Sequence, residues 1–413
     1  MMKGYRAAAP FAFVPVLLVL AGCSLIDAPW MHRAPPAPVA PPAPPQDPPP
    51  VAAHRFEIDH EKDDLIGLVQ VTRASKEDTL SDIARRFNVG YEEIARANPK
   101  VDPWLPGEGR EIVVPTQHLL PNAPREGIVI NVAAMRLYYF PKRKAGEKQV
   151  VFTHPIGIGK VGWATPIGST RVVRKAKDPV WRPGPGVRAE HKENGEILPA
   201  VVPPGPDNPL GNRAMYLGWP QFLIHGTNKP YGVGLRSSHG CIRMYPEDIE
   251  KVFELVAPGE KVTVVNQPFV FGWHEGQLYL QAYDVLEDDP RDWQKAQKKL
   301  LSKSLAARIQ KELKARNESV DWASISRFTH DPRGIPVSVS KPDATIEAIV
   351  AAAPRVQNRV PDGANWDGKS NLPADDATMR EMFSDEEREP AAKPTANPVK
   401  PVATPTRVGT AAR

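Results

Sequence analysis

Apolar side chains recur every three or four positions over residues 77–87 and again over Tyr91–Asn98, which is the spacing of helices with one buried face. Residues 88–90 separate the two segments and break the pattern. Val69–Val71 and Ile112–Val114 flank the pair as short apolar runs typical of strands. This order predicts a small β-α-α-β domain.

A β pattern follows, in which short apolar runs alternate with turn residues. These runs are Ile128–Asn131, Leu137–Phe140, Gln149–Phe152 and Lys261–Val265. Glycine and proline punctuate residues 157–211, so we expect a loop-rich sheet there rather than long helices. One clear helix is predicted over Pro246–Val256, where Ile249, Val252 and Phe253 share a face.

The region after residue 266 has a different character. Phe269–Tyr283 predicts a hairpin that turns near Glu275 and Gly276. Arg291–Arg316 carries apolar residues at helical spacing among many cations, which predicts one long basic helix. We expect its apolar face to dock on a core rather than on a membrane or a nucleic acid.

Composition sets the two ends of the chain apart from the middle. Proline makes up 47 of 413 residues, and ten of the seventeen residues 34–50 are proline. Neither this stretch nor residues 351–413 carries the periodic apolar residues that a core needs. We expect residues 23–64 to be an extended linker and residues 351–413 to be a disordered tail. The net charge of +5 is small for this length and indicates no nucleic-acid partner.

The N-terminus has the features of a secretory signal. Lys3 and Arg6 precede the apolar run Phe11–Ala21, which is shorter than the ~20 residues of a membrane-spanning helix. The run ends in Leu-Ala-Gly-Cys23, which resembles the bacterial lipobox. That resemblance implies cleavage of residues 1–22, acylation of Cys23 and stable membrane attachment. An ordinary secretory signal with a chance cysteine is the alternative.

Placement and redox state follow from the same resemblance. A lipidated protein with Ser24 after the acylated cysteine, rather than aspartate, is expected at the outer membrane, facing the periplasm. The chain contains only Cys23 and Cys241, so acylation of the first leaves one thiol and no internal disulfide. A single cysteine in an oxidising compartment indicates a chemical role.

The surroundings of Cys241 favour nucleophilic catalysis. The apolar run Phe222–Ile224 leads into His225, and a Ser-His-Gly-Cys turn follows within seventeen residues. A cysteine attacks as its thiolate, and histidine is the base whose pKa suits that task. We therefore expect His225 to lower the pKa of Cys241 and to activate it. Gly240 permits a turn that aims backbone N–H groups at an oxyanion.

Several ordered motifs lie within residues 126–266. They are Met135-Arg136-Leu137-Tyr138-Tyr139, Pro155-Ile156-Gly157-Ile158-Gly159, Thr165-Pro166-Ile167-Gly168, Pro203–Gly211, His225-Gly226-Thr227-Asn228 and Ser238-His239-Gly240-Cys241-Ile242-Arg243. The set resembles the catalytic domain of the L,D-transpeptidases, of the YkuD type and its ErfK-like branch. The fold that this resemblance implies is a β-sandwich-like mixed domain.

The β-α-α-β segment carries its own motifs. Asp78-Thr79-Leu80, Ala97-Asn98-Pro99 and a final Ile-Val-Val-Pro are similar to a LysM glycan-binding domain. Glu77 stands where that family usually has glycine, so a purely structural spacer is the alternative. The fold class implied for the chain is mixed and mainly β. It comprises a LysM-like domain at 65–118, the catalytic domain at 126–266 and a C-terminal hairpin and helical extension at 267–350.

The transpeptidase resemblance implies a role for each site residue and no cofactor. His225 is the proton donor and acceptor, Cys241 is the nucleophile, and the Gly226 carbonyl orients the imidazole. The backbone N–H groups of Gly240 and Cys241 stabilise the oxyanion. Three more residues line or brace the site: Ser238, His239 and Arg243. A zinc site formed by the two histidines and the cysteine is the alternative, which the tight His-Gly-Cys spacing disfavours.

The implied reaction is a ping-pong acyl transfer on peptidoglycan. Cys241 attacks the bond after the diamino acid of a stem tetrapeptide, releases D-alanine and forms a thioester; carbapenems are expected to acylate the same thiol. An amine resolves the thioester, giving a 3-3 crosslink or joining an envelope lipoprotein to the wall. Water as the acceptor makes the same site a carboxypeptidase, and an amide as the donor makes it an amidase. A non-catalytic tether between lipid and LysM domain is the alternative from another class, and it has no need of a thiol.

Overall fold

The computed structural model describes residues 47–362, except residues 60–62, 145, 306, 318 and 342. The predicted signal peptide, Cys23, most of the proline-rich linker and the tail beyond residue 362 lie outside the described residues. Within the described part of the chain, no helix is long and apolar enough to cross a membrane.

Strands outnumber helices in the part of the chain that the structure describes. The strands are β1 (Arg55–Ile58), β2 (Leu65–Gly67), β3 (Gln70–Arg73), β4 (Glu111–Val114), β5 (Gln117–Leu119), β6 (Gly127–Asn131), β7 (Arg136–Phe140), β8 (Gln149–Pro155), β9 (Ile158–Gly159), β10 (Gly168–Lys177), β11 (Arg213–Leu217), β12 (Leu223–His225), β13 (Arg236–Ser238), β14 (Ile242–Arg243), β15 (Lys261–Val265), β16 (Phe269–His274), β17 (Gln277–Ala282) and β18 (Val337–Ser338). The helices are α1 (Leu80–Arg86), α2 (Tyr91–Ala97), α3 (Pro185–Glu193), α4 (Pro246–Leu255), α5 (Trp293–Ser304), α6 (Ala307–Arg316), α7 (Trp322–His330) and α8 (Ile346–Ala352). The prediction of a mixed, mainly β chain is confirmed.

Nine strands form one sheet, in the spatial order β1-β8-β7-β6-β15-β10-β11-β12-β14. Neighbours are antiparallel except β6 with β15 and β12 with β14, which are parallel. Every residue of β6 and β7 is buried, which places these two strands in the centre of the core. Helix α4 packs on the sheet with the predicted face of Ile249, Val252 and Phe253.

The β-α-α-β domain forms in the predicted order, with β3 and β4 paired and both helices packed on them. Helix α1 begins at a capping box, in which Thr79 and Asp82 each accept the backbone N–H of the other. Leu80, Ile83 and Phe87 are almost completely buried. The side chains that set the helical spacing in the sequence are therefore the core of this domain.

Two short segments that the sequence assigns to linker and tail belong to the fold. Arg55–Ile58 forms β1, which pairs along β8 and extends the main sheet. Val356 is buried, and its N–H donates to the Val71 carbonyl of β3 over 2.8 Å. Each segment contains few apolar residues and lies in a proline-rich neighbourhood. An average over the whole stretch therefore hides these contacts.

The C-terminal extension departs from its prediction in one element. β16 and β17 form the predicted hairpin, which turns at Glu275 and Gly276. The single helix predicted over Arg291–Arg316 is wrong, because the backbone is extended at Leu305 and separates α5 from α6. The apolar side chains keep their spacing across this break and are buried in one cluster: Leu301, Leu305, Ile309 and Leu313. Their predicted docking on a core is confirmed.

Helix α3 lies where the sequence predicts loops. It begins at Pro185, directly after a glycine, and none of its nine residues is buried. A helix without a buried face has no apolar periodicity for sequence analysis to detect. The same region contains the ten-residue strand β10, whose residues are mostly exposed or half-buried.

Candidate active site

Strands β12 and β14 bring the two candidate catalytic residues to one face of the main sheet. The two strands pair in parallel, with His225 opposite Arg243. Cys241 directly precedes β14, and continuing this register by two residues places it opposite Leu223. Paired residues share a face of a sheet, as do residues two apart on a strand. Two residues along a strand span ~6.6 Å and neighbouring strands are ~4.8 Å apart, so the Cα atoms of His225 and Cys241 are about 8 Å apart. That separation lets the two side chains meet.

The His225 imidazole is buried and neutral. Its Nδ1 atom lies 2.6 Å from the Gly226 carbonyl oxygen, so Nδ1 carries the proton and donates it there. Burial and, next, the positive charge of Arg243 lower the pKa of His225 to about 3, while the bond to Gly226 opposes them. Nε2 is therefore a lone-pair acceptor at neutral pH, which is the state that a general base needs.

The Cys241 thiol is partly exposed and donates to the Gln221 carbonyl oxygen, 3.4 Å from Sγ. Gln221 has a φ of 71°, a left-handed conformation that is uncommon outside glycine. Burial raises the pKa of Cys241, although a backbone hydrogen bond from Leu223 and the charge of Arg243 act in the opposite direction. The expectation of a lowered thiol pKa is wrong for the resting site, because desolvation disfavours charge on both partners.

Ser238 and Gly240 shape the turn that carries the thiol. The Ser238 hydroxyl donates to the Cys241 carbonyl oxygen over 2.6 Å and accepts the Gly240 N–H over 3.1 Å. Gly240 has a φ of 97°, and a Cβ there would lie 2.8 Å from the Phe222 ring. No other residue fits that position without strain. The Gly240 N–H is thus bonded within the turn, whereas the resemblance directs it to the oxyanion.

Thr165 ties this turn to β9, and sequence analysis gave it no role. Its hydroxyl donates to the Gly240 carbonyl oxygen over 3.0 Å and accepts the Gly159 N–H over 3.2 Å. A Cβ on Gly159 would lie 1.9 Å from the Trp163 carbonyl oxygen, so the backbone segments touch directly. Membership of the Thr-Pro-Ile-Gly motif is the sequence feature that marks Thr165.

Arg243 places positive charge beside the candidate catalytic pair. Its Nη1 donates to the Ser237 hydroxyl over 3.1 Å, and its backbone exchanges hydrogen bonds of 2.9 and 3.0 Å with Gly157. Burial lowers the pKa of Arg243, while Cys241 and Tyr231 oppose that shift. A cation at this position stabilises negative charge as it forms on the sulfur or on an oxyanion.

Comparison with known proteins places the chain in a family. The L,D-transpeptidase catalytic domain (YkuD) matches residues 125–264, and the LysM domain matches residues 74–115. Probable L,D-transpeptidase YcfS of Escherichia coli K12 is 43% identical over 222 residues, which are 52% of this chain and 68% of that protein. Probable L,D-transpeptidase ErfK/SrfK of Salmonella typhimurium LT2 is 39% identical over 263 residues, which are 63% of this chain and 82% of that protein. The chain belongs to the L,D-transpeptidase family.

A third relative gives the same result. Probable L,D-transpeptidase YbiS of Escherichia coli K12 is 43% identical over 226 residues, which are 54% of this chain and 72% of that protein. The two resemblances predicted from the sequence, to the L,D-transpeptidases and to the LysM domain, are confirmed.

In this L,D-transpeptidase, His239 contacts helix α3. Its Nε2 lies 3.2 Å from Glu190 Oε2, and Glu190 also bonds the Lys160 ammonium group. The Trp163 ring meets His239 edge-on, with 4.9 Å between ring centroids. Burial lowers the pKa of His239, although Glu190 opposes the shift. The motif that contains His239 predicts it in the site, whereas no sequence pattern marks α3 and Glu190, which lie against it.

Among the residues that the structure describes, no group of three or more His, Cys, Asp or Glu side chains is arranged to hold a metal ion. The members of the alternative zinc set have separate partners: His225 has Gly226, His239 has Glu190 and Cys241 has Gln221. Each of the three side chains thus contacts a group outside that set.

Proposed function

We propose that this L,D-transpeptidase is a cysteine acyltransferase acting on peptidoglycan stem peptides, with Cys241 as nucleophile and His225 as general base and acid. The observation that carries the proposal is the bond from His225 Nδ1 to the Gly226 carbonyl. It fixes the tautomer, so the lone pair of Nε2 lies on the side of the ring that is left for chemistry. Cys241 packs against Ala214 and Leu223, which lie on the same face of the sheet as His225.

Acylation starts from a neutral thiol and a neutral imidazole. Sγ attacks the carbonyl carbon after the diamino acid of a stem tetrapeptide, and the thiol proton passes to His225 Nε2. The imidazolium then donates that proton to the departing nitrogen as the C–N bond breaks. D-Alanine leaves, and a thioester on Cys241 remains.

The developing oxyanion needs donors that are not already bonded. The Gly240 N–H donates to Ser238 Oγ, so we assign the oxyanion contact from this turn to the Cys241 N–H. The positive charge of Arg243 adds to it, because it favours the anionic intermediate over the neutral resting site. Gly226 and Ser238 have supporting roles, since the first orients the His225 imidazole and the second bonds the turn that carries Cys241. His239 is assigned to lining the site, where it contacts Glu190 of α3.

An amine resolves the thioester in the second half of the reaction. His225 takes a proton from the attacking nitrogen and returns it to the sulfur as the C–S bond breaks. A stem diamino acid as the acceptor gives a 3-3 crosslink, and a lysine of an envelope lipoprotein gives a protein attached to the wall. Water as the acceptor gives carboxypeptidase activity. All three outcomes share one acyl-enzyme.

Two further assignments complete the proposal. The LysM domain binds the glycan strands of the wall that the catalytic domain modifies. Cys23, which lies outside the described residues, carries the lipid that anchors the chain at the outer membrane on the periplasmic side.

Intact-protein mass spectrometry with a disaccharide-tetrapeptide tests the acyl-enzyme. The wild-type chain should gain one acyl group with release of D-alanine, and Cys241→Ala should gain none. His225→Ala should acylate about 100-fold more slowly or worse, because general base catalysis contributes on that order. The matched control is His330→Ala, on the exposed end of α7, which should behave as wild type. An adduct that persists in Cys241→Ala contradicts the proposal, and D-alanine release without transfer to any amine favours the carboxypeptidase.

A further inference from the structure

The LysM domain meets the catalytic domain backbone to backbone. In the first turn of α2, the Tyr91 and Glu92 N–H groups donate to the carbonyls of Val233 and Gly234, over 3.3 and 3.2 Å. These are N–H groups for which a helix has no partner of its own. The catalytic domain therefore supplies hydrogen-bond acceptors for the first turn of a LysM helix. In return, that helix fixes two consecutive carbonyl groups of the catalytic domain.

Two glycines make this approach possible. A Cβ on Gly90 would lie 2.7 Å from Gly234 Cα, and a Cβ on Gly234 would lie 2.2 Å from the Tyr91 nitrogen. Gly90 has φ −87° and ψ 163°, which any residue adopts. A substitution of Gly90 therefore perturbs the contact with Gly234 without straining its own backbone.

Side-chain bonds around this contact hold the two domains in one orientation. They join α1, α2 and the loop between them to β7, to α4 and to the residue before α4. The bonds are Arg85 to Glu247 at 2.9 and 2.9 Å, Arg136 to Glu93 at 2.7 and 2.9 Å, and Tyr245 to the Val89 carbonyl at 3.1 Å. These bonds resist a rotation of one domain against the other, so we expect the strain from a group added at Gly90 to fall on the segment 233–235.

That segment leads directly to the catalytic turn. The Leu235 carbonyl accepts the Ile158 N–H over 3.0 Å, and the next three residues are β13, which pairs with β9. The last residue of β13 is Ser238, whose hydroxyl bonds both Gly240 and Cys241. Ser238 is only four residues from Gly234. A shift of the segment 233–235 is therefore transmitted to the turn that carries the thiol.

We propose that the LysM domain is a positioning element of the active site. Through Gly90 and Gly234 it holds the segment 233–235, and with it the Ser238 turn, in the orientation that presents Cys241 to His225. This inference rests on the proposed function and gives the domain a second task beside glycan binding. It makes Gly90, which lies outside the catalytic domain, a positioning residue of the reaction.

The first test compares Gly90→Ala with Glu108→Ala in the full chain carrying Cys23→Ser, where Cys241 is the only thiol. Glu108 is in the same domain, exposed and outside both helices. Gly90→Ala should lower kcat about 10- to 100-fold, as misplacement by about 1 Å does. KM and sedimentation with insoluble peptidoglycan should stay unchanged. The rate of Cys241 alkylation by iodoacetamide should change in Gly90→Ala and not in Glu108→Ala.

The second test compares Tyr91→Pro with Tyr91→Ala. Proline is favoured at the first position of a helix, and the extended backbone of Gly90 accommodates it. It removes the N–H that bonds the Val233 carbonyl and puts Cδ against that oxygen. Alanine keeps the N–H and removes only the ring. Tyr91→Pro should reproduce the loss of kcat, and Tyr91→Ala should not.

The outcomes separate this inference from the function on which it rests. If Gly90→Ala does not fold, the Tyr91 pair decides. Folded Gly90→Ala or Tyr91→Pro with the kcat and the alkylation rate of its control would overturn the inference. If the wild-type chain forms no acyl-enzyme, the proposed function fails. The alkylation rates of Cys241 in the two pairs then still test the positioning.

Discussion

A buried ion pair joins the LysM domain to the main sheet. Arg136 on β7 is 0% exposed and Glu93 on α2 is 4% exposed. Arg136 Nε and Nη2 donate to the two Glu93 carboxylate oxygens over 2.7 and 2.9 Å. Burial opposes charge on Arg136, but the charge and hydrogen bonds of Glu93 overcome it and raise the pKa of Arg136. The guanidinium is therefore charged within the protein interior.

Glu93→Leu leaves that guanidinium buried without its carboxylate. The remaining partners, the Thr153 hydroxyl and the Asn88 carbonyl, carry no negative charge. We expect the free energy of unfolding to fall by ~3–5 kcal/mol, the usual result of removing one partner of a buried ion pair. Arg136→Met should have a similar effect, since it strands the Glu93 carboxylate. The double variant should recover part of the loss, because two apolar side chains bury no charge. The rest remains lost, since the Gly90 N–H that donates to Glu93 over 2.7 Å has no acceptor in the variant.

Urea unfolding followed by circular dichroism and by tryptophan fluorescence measures these differences. Coincident transitions establish two-state behaviour, and linear extrapolation then gives the free energy. The matched control is Glu126→Leu, which breaks a pair with Lys261 whose side chains are 58% and 46% exposed. Exposed pairs contribute ~0–1 kcal/mol. A loss below ~1 kcal/mol for Glu93→Leu, or a double variant that loses the sum of both singles, would refute the reasoning.

Three further predictions concern the site and the anchor. The pKa of His225 is about 3 and that of Cys241 is raised, so both side chains stay neutral across the usual range of assay pH. We therefore expect kcat/KM to be constant from about pH 5 to about pH 8. A fall of kcat/KM below the ordinary histidine pKa would contradict the assignment. Thr165→Val leaves the buried Gly159 N–H without its acceptor, so it should lower the free energy of unfolding by ~1–3 kcal/mol and slow acylation. Urea unfolding measures the first effect, and the rate of adduct formation on the same preparation measures the second. Cys23→Ser should move the protein out of the outer-membrane fraction, and unchanged fractionation would exclude the anchor.

Elements whose burial is periodic are evident in the sequence. Leu80, Ile83 and Phe87 mark α1 because the same side chains form its core. Helix α3 has no buried residue and gives no such pattern. The break at Leu305 is hidden for the opposite reason, because the apolar spacing continues across it while the backbone does not. Hydrophobic spacing predicts which face is buried and says little about where a helix ends.

The same limit applies to the site. His225 and Cys241 are evident in the sequence because the chemistry needs these side chains beside turn residues. Glu190 and Thr165 act from segments tens of residues away, and only the fold brings them to His239 and Gly240. The direction in which the pKa of Cys241 shifts cannot be predicted from the sequence either, because it depends on burial, which is a property of the folded chain.

In the proposed mechanism, the neutral thiol–imidazole pair determines at which stage of acylation the site stabilises charge. In a thiolate–imidazolium pair the nucleophile is ready before substrate arrives and reacts with other electrophiles. In the mechanism proposed for this chain, charge separates only as Sγ attacks, so Arg243 and the Cys241 N–H are assigned to stabilising the transition state rather than the resting enzyme. A protonated thiol is also slow to oxidise, which suits a sole thiol in the oxidising compartment proposed for this chain. A nucleophile that is not activated in advance depends on accurate placement. This is the task that we propose for the contact of Gly90 with Gly234, from outside the catalytic domain.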